Sequence, residues 1–217
     1  MRSQFKGMVV LVAAVGMLVP GAGRAGTAVD PEIVDPAGDV SWIPEGDLSF
    51  MDLRAAWFES IRDQDGRLEA FRVTIRTESP RPADKPLALS ASWRVQGGSV
   101  PCTTEITVLD DTSNVGFIQW TAQAIAYSWC EGDQNVITLG PLTVVVLLDG
   151  REVAFARDGA DYIVTVPIAA FNGSRADGLY GEGTVFEQAI INTFKVVPFA
   201  WIGVDYNQEA RPFTLGS

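Results

Sequence analysis

Three aspartates near the start of the chain could bind a metal ion. Asp35, Asp39 and Asp47 lie in one short segment that is rich in glycine and proline. Calcium is bound by several hard oxygen ligands from flexible backbone, so this segment predicts a Ca²⁺ site. Aspartates also stabilise turns by bonding their own backbone, and the sequence leaves that alternative open. Residues 63–66 (DQDG) begin like a calcium loop but lack its later ligands, which indicates an ordinary turn.

Two tryptophans and one carboxylate could bind a sugar. Trp42 and Trp57 are the tryptophans nearest to this acidic segment, and Asp47 lies between them in sequence. An aromatic ring offers a flat apolar face on which a sugar ring can stack, and a carboxylate can accept bonds from sugar hydroxyls. These three residues are therefore predicted to bind a ligand. Packing of either tryptophan inside the fold is the alternative.

The absence of histidine limits what catalysis the chain could perform. It removes the usual general base near neutral pH, the usual zinc ligand and every Ser-His-Asp arrangement. Paired carboxylates remain, and Glu105, Glu152 and Glu187 lie on strand-like runs. Nothing in their spacing selects a catalytic pair. We therefore predict no catalytic residues and a protein that is not an enzyme.

Export is indicated by the first 25 residues and by the two cysteines. Arg2 and Lys6 precede an apolar run, and small residues end at Ala25, as in a signal peptide cleaved after that residue. The run is too short to span a bilayer as a helix. An even cysteine count in an exported chain predicts a disulfide between Cys102 and Cys130. We expect a secreted, extracellular protein.

The charge of the chain excludes some partners. The sequence has 16 basic and 27 acidic residues, a net charge of −11, and loss of the basic residues of the leader lowers this to −14. Nucleic acids and anionic membranes are bound through clusters of Lys and Arg, so neither is an expected partner. No later run is long and apolar enough to span a membrane. The same charge is compatible with divalent cations and neutral ligands.

The elements that must position these residues are β-strands. Residues 142–166 contain three β-prone runs separated by Asp149-Gly150 and Asp158-Gly159, the signals of tight hairpin turns. Residues 68–77 and 87–95 alternate between apolar and polar positions, as half-buried strands do. We count nine to eleven strands and few helices, which predicts an antiparallel β-sandwich of jelly-roll-like topology. Residues 26–47 are expected to be an extended lead-in, and residues 48–217 a single domain.

The order of short motifs resembles a known group of domains. The segment DPAGDV precedes GDLSFMDLRAAW, and the chain ends with VDYNQEARPFTLGS. This resembles secreted bacterial β-sandwich domains related to family-9 carbohydrate-binding modules and DOMON domains. The resemblance implies a β-sandwich that binds a carbohydrate. Haem ligands of the kind some DOMON domains use are not implied, because the chain has no histidine.

Three functional hypotheses follow. The first is a secreted, non-catalytic, carbohydrate-binding-like module that takes a neutral or basic polysaccharide, with Ca²⁺ as an accessory ion. The second is a structural or protein-interaction domain of the cell envelope. The third is a jelly-roll glycoside hydrolase that uses paired carboxylates.

Overall fold

The structure is a computed structural model. It describes residues 8–12, 26–40, 48–97, 100–110, 114–115, 118–119, 122–130, 136–139, 142–147, 150–172, 176–197, 200–207 and 210–217. Three positions of interest from the sequence, the cleavage site after Ala25, Trp42 and Asp47, lie outside the described residues. The predicted lead-in is described from Gly26 to Val40.

Nearly all of the described chain is β-structure. The strands are β1 (Met8–Val12), β2 (Ile33–Val34), β3 (Leu53–Arg62), β4 (Leu68–Thr77), β5 (Leu87–Gly97), β6 (Val100–Asp110), β7 (Asn114–Val115), β8 (Ile118–Gln119), β9 (Gln123–Cys130), β10 (Val136–Leu139), β11 (Leu142–Leu147), β12 (Arg151–Asp158), β13 (Asp161–Pro167), β14 (Val185–Val197), β15 (Ala200–Asn207) and β16 (Phe213–Thr214). Single 3₁₀ turns span Ser49–Met51 and Ile168–Phe171. Within the described ranges, no helix has both the length and the apolar character needed to cross a bilayer.

Eleven strands form one antiparallel sheet. Ten of them lie in the order β15-β14-β5-β6-β9-β12-β13-β4-β3-β2, and β16 pairs with β14 beside this path. Neighbours in sequence form hairpins, such as β12 with β13 across the predicted Asp158-Gly159 turn. Strand β14 returns from late in the chain to pair with β5. The predicted all-β, antiparallel fold class is confirmed.

The sheet curls until its two edges meet. At one edge, Ile33 of β2 pairs with Ala210, which follows β15 at the other edge. The backbone N–H of Arg211 donates to the carbonyl of Glu32 at 2.9 Å. The last residue of β15, Asn207, donates from its side chain to the carbonyl of Val34 at 3.1 Å. The predicted lead-in is thus one partner in the closure of the sheet.

The core lies between the facing halves of the curled sheet and is rich in aromatic rings. Phe58 of β3 packs edge-on to Trp93 of β5, with ring centroids 5.3 Å apart. Phe186 of β14 stacks on Trp93 at 5.0 Å, and Phe213 stacks on Phe58 at 5.4 Å. Each of these side chains is fully buried, and burial of one large apolar side chain contributes about 1.5–3 kcal/mol. The core thus joins strands that are distant in the sheet order.

One predicted hairpin does not form. The sequence predicted that the runs on either side of Asp149-Gly150 would pair. Strand β12 instead pairs with β9 and β13, whereas β11 pairs with β1 and β10 in a separate three-stranded sheet. The β1 strand lies within the predicted leader. A turn signal specifies a local reversal, but the partner of each strand is set by the rest of the sheet.

The predicted disulfide is present. Cys102 of β6 and Cys130 of β9 lie directly opposite each other in the sheet, and their sulfur atoms are bonded. The bond joins positions 28 residues apart. On the chain-entropy account, closing such a loop in the unfolded chain contributes about 3–4 kcal/mol.

Candidate metal centre

Four aspartates converge beside the closure of the sheet. Asp35 follows β2, Asp39 lies in the next turn, Asp52 precedes β3, and Asp205 lies in β15. One carboxylate oxygen of each lies within 4.8 Å of the corresponding oxygens of the others. Asp35, Asp52 and Asp205 are buried, and Asp39 is exposed. The cluster is therefore a buried acidic pocket with one ligand at its rim.

A glycine turn carries Asp35 and Asp39 to the cluster. Gly38 has a φ angle of 81°, a left-handed conformation that side-chain-bearing residues rarely adopt. Its N–H donates to Oδ2 of Asp52 at 2.8 Å. The N–H of Asp35 donates to the carbonyl of Arg54 at 3.0 Å. The turn is thus held against the start of β3 from both of its ends.

Backbone and amide donors occupy one oxygen on each buried aspartate. The N–H of Leu53 donates to Oδ2 of Asp205 at 2.8 Å, and the side chain of Asn207 donates to Oδ1 of Asp35. The remaining oxygens of two residues, Oδ2 of Asp35 and Oδ1 of Asp52, are buried without a hydrogen-bond partner. These side chains are only 3% and 4% exposed. A buried polar oxygen without a partner costs about 1–3 kcal/mol, so a ligand that contacts both oxygens would relieve a real cost.

Burial and mutual repulsion raise the pKa values of the cluster. Burial, assisted by the charges of its three neighbours, raises the pKa of Asp35 to about 6. Burial first, and then the charge of Asp39, raises the pKa of Asp52 and of Asp205. The charge of Arg54 lowers the pKa of Asp52, but its guanidinium is ion-paired with Glu78 at 3.2 Å. The cluster therefore holds more negative charge than its protein surroundings neutralise.

The donor set fits a hard divalent cation. All four residues offer carboxylate oxygens, and calcium takes six to eight oxygen ligands in flexible geometry. The exposed position of Asp39 leaves room for water or a bound ligand to complete the shell. Magnesium demands a regular octahedron at shorter distances, which four carboxylates from three separate segments satisfy less readily.

The sequence located half of this cluster. Asp35 and Asp39, two of the predicted metal ligands, come together as expected, while Asp47 lies outside the described residues. Asp52 and Asp205 were not predicted to bind metal. A sequence signal for Asp205 exists, since it is a charged residue directly after the apolar run at 200–204 in β15. Its proximity to Asp52 depends on closure of the sheet, which no local pattern reveals.

The predicted sugar-binding tryptophan is covered in this structure. Trp57 is 6% exposed, and the guanidinium of Arg76 lies 5.0 Å from the centre of its ring. Arg76 is held there by Asp161, through bonds of 2.6 and 2.7 Å. The described residues instead expose Tyr206, which is 62% exposed and directly follows Asp205. Val34, which directly precedes Asp35, is also exposed.

The three glutamates considered for catalysis share one face of the sheet. Glu105 lies opposite Ser92 of β5, and Glu187 lies opposite Arg94 of the same strand. Glu152 lies on the same face, and β9 separates its strand from the strand of Glu105. Glu105 is fully buried, and burial raises its pKa to about 7. Glu152 is exposed. A buried carboxyl group has no contact with a polysaccharide chain in solution, so Glu105 is not placed to act on such a chain in this structure.

Comparison of the chain with protein-family models, curated proteins and solved structures finds no match. The resemblance to family-9 carbohydrate-binding modules and DOMON domains therefore stays a prediction.

Proposed function

We propose that this protein is an exported, non-catalytic binding module whose binding edge is organised by a divalent cation, Ca²⁺ above others. Asp35, Asp39, Asp52 and Asp205 would hold the ion. The observation that carries the proposal is the pair of buried carboxylate oxygens, one on Asp35 and one on Asp52, that lack any partner inside an acidic cluster.

Electrostatics favours an ion at this position. The raised pKa values reflect the cost of keeping buried charges close to one another. A divalent cation among them would reverse the sign of the local field and return the carboxylates to their ionised form. The ion would also join the turn at 36–39 to β3 and β15, so binding would stiffen the edge where the sheet closes.

The ligand of the module is proposed to be a neutral or basic polysaccharide. The exposed side of the ion, next to Asp39, could contact sugar hydroxyls directly. Tyr206 supplies an exposed ring beside the cluster, and rings of this kind stack on sugars. Trp42 and Asp47 follow Asp39 closely in sequence and remain predicted ligand residues. The net negative charge would disfavour anionic glycans through repulsion that salt screens.

Calorimetric titration with CaCl₂ tests the cation site. We expect one site per chain with a dissociation constant of about 10⁻⁴–10⁻³ M, the range of extracellular calcium modules. Asp52→Asn and Asp205→Asn should abolish binding, because each removes a ligand charge from the centre of the cluster. Asp84→Asn, which changes an exposed aspartate in the turn at 83–85, is the matched control and should bind as the wild type does. Absence of binding by the wild type would refute the site.

A glycan array in calcium and in chelator tests the ligand class. Tyr206→Ala should weaken binding about fivefold if the ring stacks on sugar, whereas Tyr206→Phe should retain most of the affinity. An array without hits, on protein that binds calcium, would favour the second function, a protein-interaction domain of the cell envelope. The exposed Val34 and Tyr206 would serve such a partner equally well.

A further inference from the structure

Glu32 carries a buried carboxyl group without a matching positive charge. The side chain is 2% exposed, and its Oε2 accepts the N–H of Phe58 at 3.0 Å. Its Oε1 is buried and has no hydrogen-bond partner. Burial raises the pKa of this carboxyl group to about 7, in spite of the backbone donors around it.

Arg211, whose charge acts on Glu32, is paired with other groups. The positive charge of Arg211 lowers the pKa of Glu32. The guanidinium of Arg211, however, is ion-paired with Asp30 at 2.9 Å and donates to the carbonyls of Asp30 and Pro31 at 3.0 and 2.7 Å. Arg211 therefore contributes to the field around Glu32 without satisfying Oε1.

The backbone of Gly26 is packed against this carboxyl group. Gly26 is buried, whereas residues 27–30 are exposed. A Cβ atom at position 26 would overlap the carboxyl group of Glu32, so any larger residue there would have to displace that group. The N–H of Gly26 is near enough to lower the pKa of Glu32. The nitrogen of residue 26 therefore lies beside the unsatisfied carboxylate.

We propose that Glu32 is the acceptor for the α-ammonium group of a mature N-terminus at Gly26. Cleavage after Ala25 is the cut that the leader sequence predicts. Hydrolysis of this peptide bond by a signal peptidase consumes one water molecule, leaves a carboxylate on Ala25 and gives an amine on Gly26 that takes up a proton. A neutral amide with one N–H is replaced by an ammonium with three donors and a full charge. The new group pairs with the ionised carboxylate and can donate to Oε1.

The pair would anchor the strand that closes the sheet. Glu32 immediately precedes β2, and its carbonyl accepts the N–H of Arg211 from the opposite edge. An ion pair between residues 26 and 32 would therefore fix both the start of the mature chain and the closing strand. The groups facing the carboxylate are the backbone N–H groups of Phe58 and Gly26, and Arg211 with its partner Asp30.

Thermal unfolding of two chains that differ by one residue tests the pair, and it needs no calcium. Residues 26–217 with a free α-amine should melt at least about 3 °C above the same chain that retains Ala25, at pH 7. The difference should disappear in a Glu32→Gln background, and also above about pH 10, where the amine loses its charge. Equal melting temperatures for the two wild-type chains, or a difference that survives Glu32→Gln, would overturn the proposal.

A second measurement uses only the wild-type sequence. Acylation of the α-amine of residues 26–217 should be at least tenfold slower in the folded chain than in urea. Equal rates would show that the terminus is free, and would also refute the pairing. Gly26→Ala is a matched variant that keeps the amine but adds a methyl group that would displace the carboxyl group of Glu32, so it should lose the gain in melting temperature. An intact mass that places the first residue of the exported protein at another position would contradict the assignment of Gly26 as the mature N-terminus.

Discussion

Replacement of Asp52 by Asn should have opposite effects on stability in the absence and presence of calcium. Without calcium, the buried Oδ1 of Asp52 has no partner, and burial with the charge of Asp39 raises its pKa. Asparagine removes the charge at nearly the same size, and its side-chain oxygen can still accept the N–H of Gly38. Because an unsatisfied buried charge is costly, we expect the variant to be more stable than the wild type by about 1–2 kcal/mol.

With calcium the wild type should regain this difference, and a dissociation constant near about 10⁻⁴ M should reverse the order of stability. An ion that binds only the folded state stabilises it by RT ln(1 + [L]/Kd). For 10 mM calcium and a dissociation constant of about 10⁻⁴–10⁻³ M, the gain is about 1.4–2.7 kcal/mol. In a domain of this size each kcal/mol raises the melting temperature by about 2–4 °C, so the wild type should gain about 3–11 °C. The Asp52→Asn variant lacks a central ligand and should gain little.

Melting curves in CaCl₂, in MgCl₂ and in chelator measure this reversal, with ionic strength matched by NaCl because salt itself screens repulsion. Asp84→Asn should follow the wild type in every buffer. A variant that is less stable than the wild type in all three buffers would mean that Asp52 serves only as an acceptor for the turn at Gly38. An unchanged melting temperature of the wild type in calcium would refute calcium binding by the folded protein.

Three further predictions concern pH, a buried glutamate and the disulfide. The pKa of Asp35 is raised to about 6, so the stability it contributes is present in acid and is lost as the pH rises through 6. The rise in melting temperature caused by calcium, measured in non-chelating buffers, should therefore be larger at pH 7 than at pH 5. An equal rise at both pH values would contradict the raised pKa of Asp35. Glu105→Gln should stabilise the protein by about 3 kcal/mol at pH 8 and by less than about 1 kcal/mol at pH 5, because burial raises the pKa of Glu105 from 4.5 to about 7. Urea unfolding at the two pH values measures this difference. Replacement of both Cys102 and Cys130 by serine should lower the free energy of unfolding in urea by about 3–4 kcal/mol. The β-sheet signal in circular dichroism should remain, because the aromatic core is unchanged. Loss of that signal would show that the core cannot hold the fold without the disulfide.

Local patterns in the sequence predicted the strands well because alternation of side chains is a local property. The strand predicted at 68–77 is β4, with the same bounds. By spacing, residues 185–194 fit a helix about as well as a strand, but their β-branched and aromatic content favours the strand that they form as part of β14. Residues 48–58 also have the composition of a strand, but the structure has a 3₁₀ turn at Ser49–Met51 and a strand only from Leu53. That turn places Asp52 at the head of β3, where it enters the cluster.

The alternation at 87–95 correctly predicted the buried face of this strand, but the opposite, polar face is buried as well. Leu89, Ala91 and Trp93 point into the core as expected. Ser90 and Ser92, on the face predicted to be polar, are also buried. The sheet is therefore covered on both faces here, and a two-residue period cannot report that a polar face has been covered. This is also why the burial of Glu105, opposite Ser92, was not foreseen.

The acidic cluster was only half predictable for a different reason. Asp35 and Asp39 are neighbours in sequence, so a loop pattern brings them together. Asp205 joins them through a hydrogen bond from Leu53, across 152 positions of sequence. Such a contact follows from the order of strands in the sheet. Local propensity carries no information about that order.

Two groups of uncompensated buried carboxylates lie on either side of β2, and export would supply a counter-charge to each. Glu32 precedes this strand and has an oxygen without a partner, and Asp35 follows it and has another. Cleavage at Gly26 would create an ammonium for the first group, and the calcium of an extracellular medium would fill the second. The disulfide between Cys102 and Cys130 is a third feature that an oxidising compartment provides. We infer that the sheet closes most firmly in the processed, calcium-bound and oxidised protein, because the same short strand depends on the first two of these events.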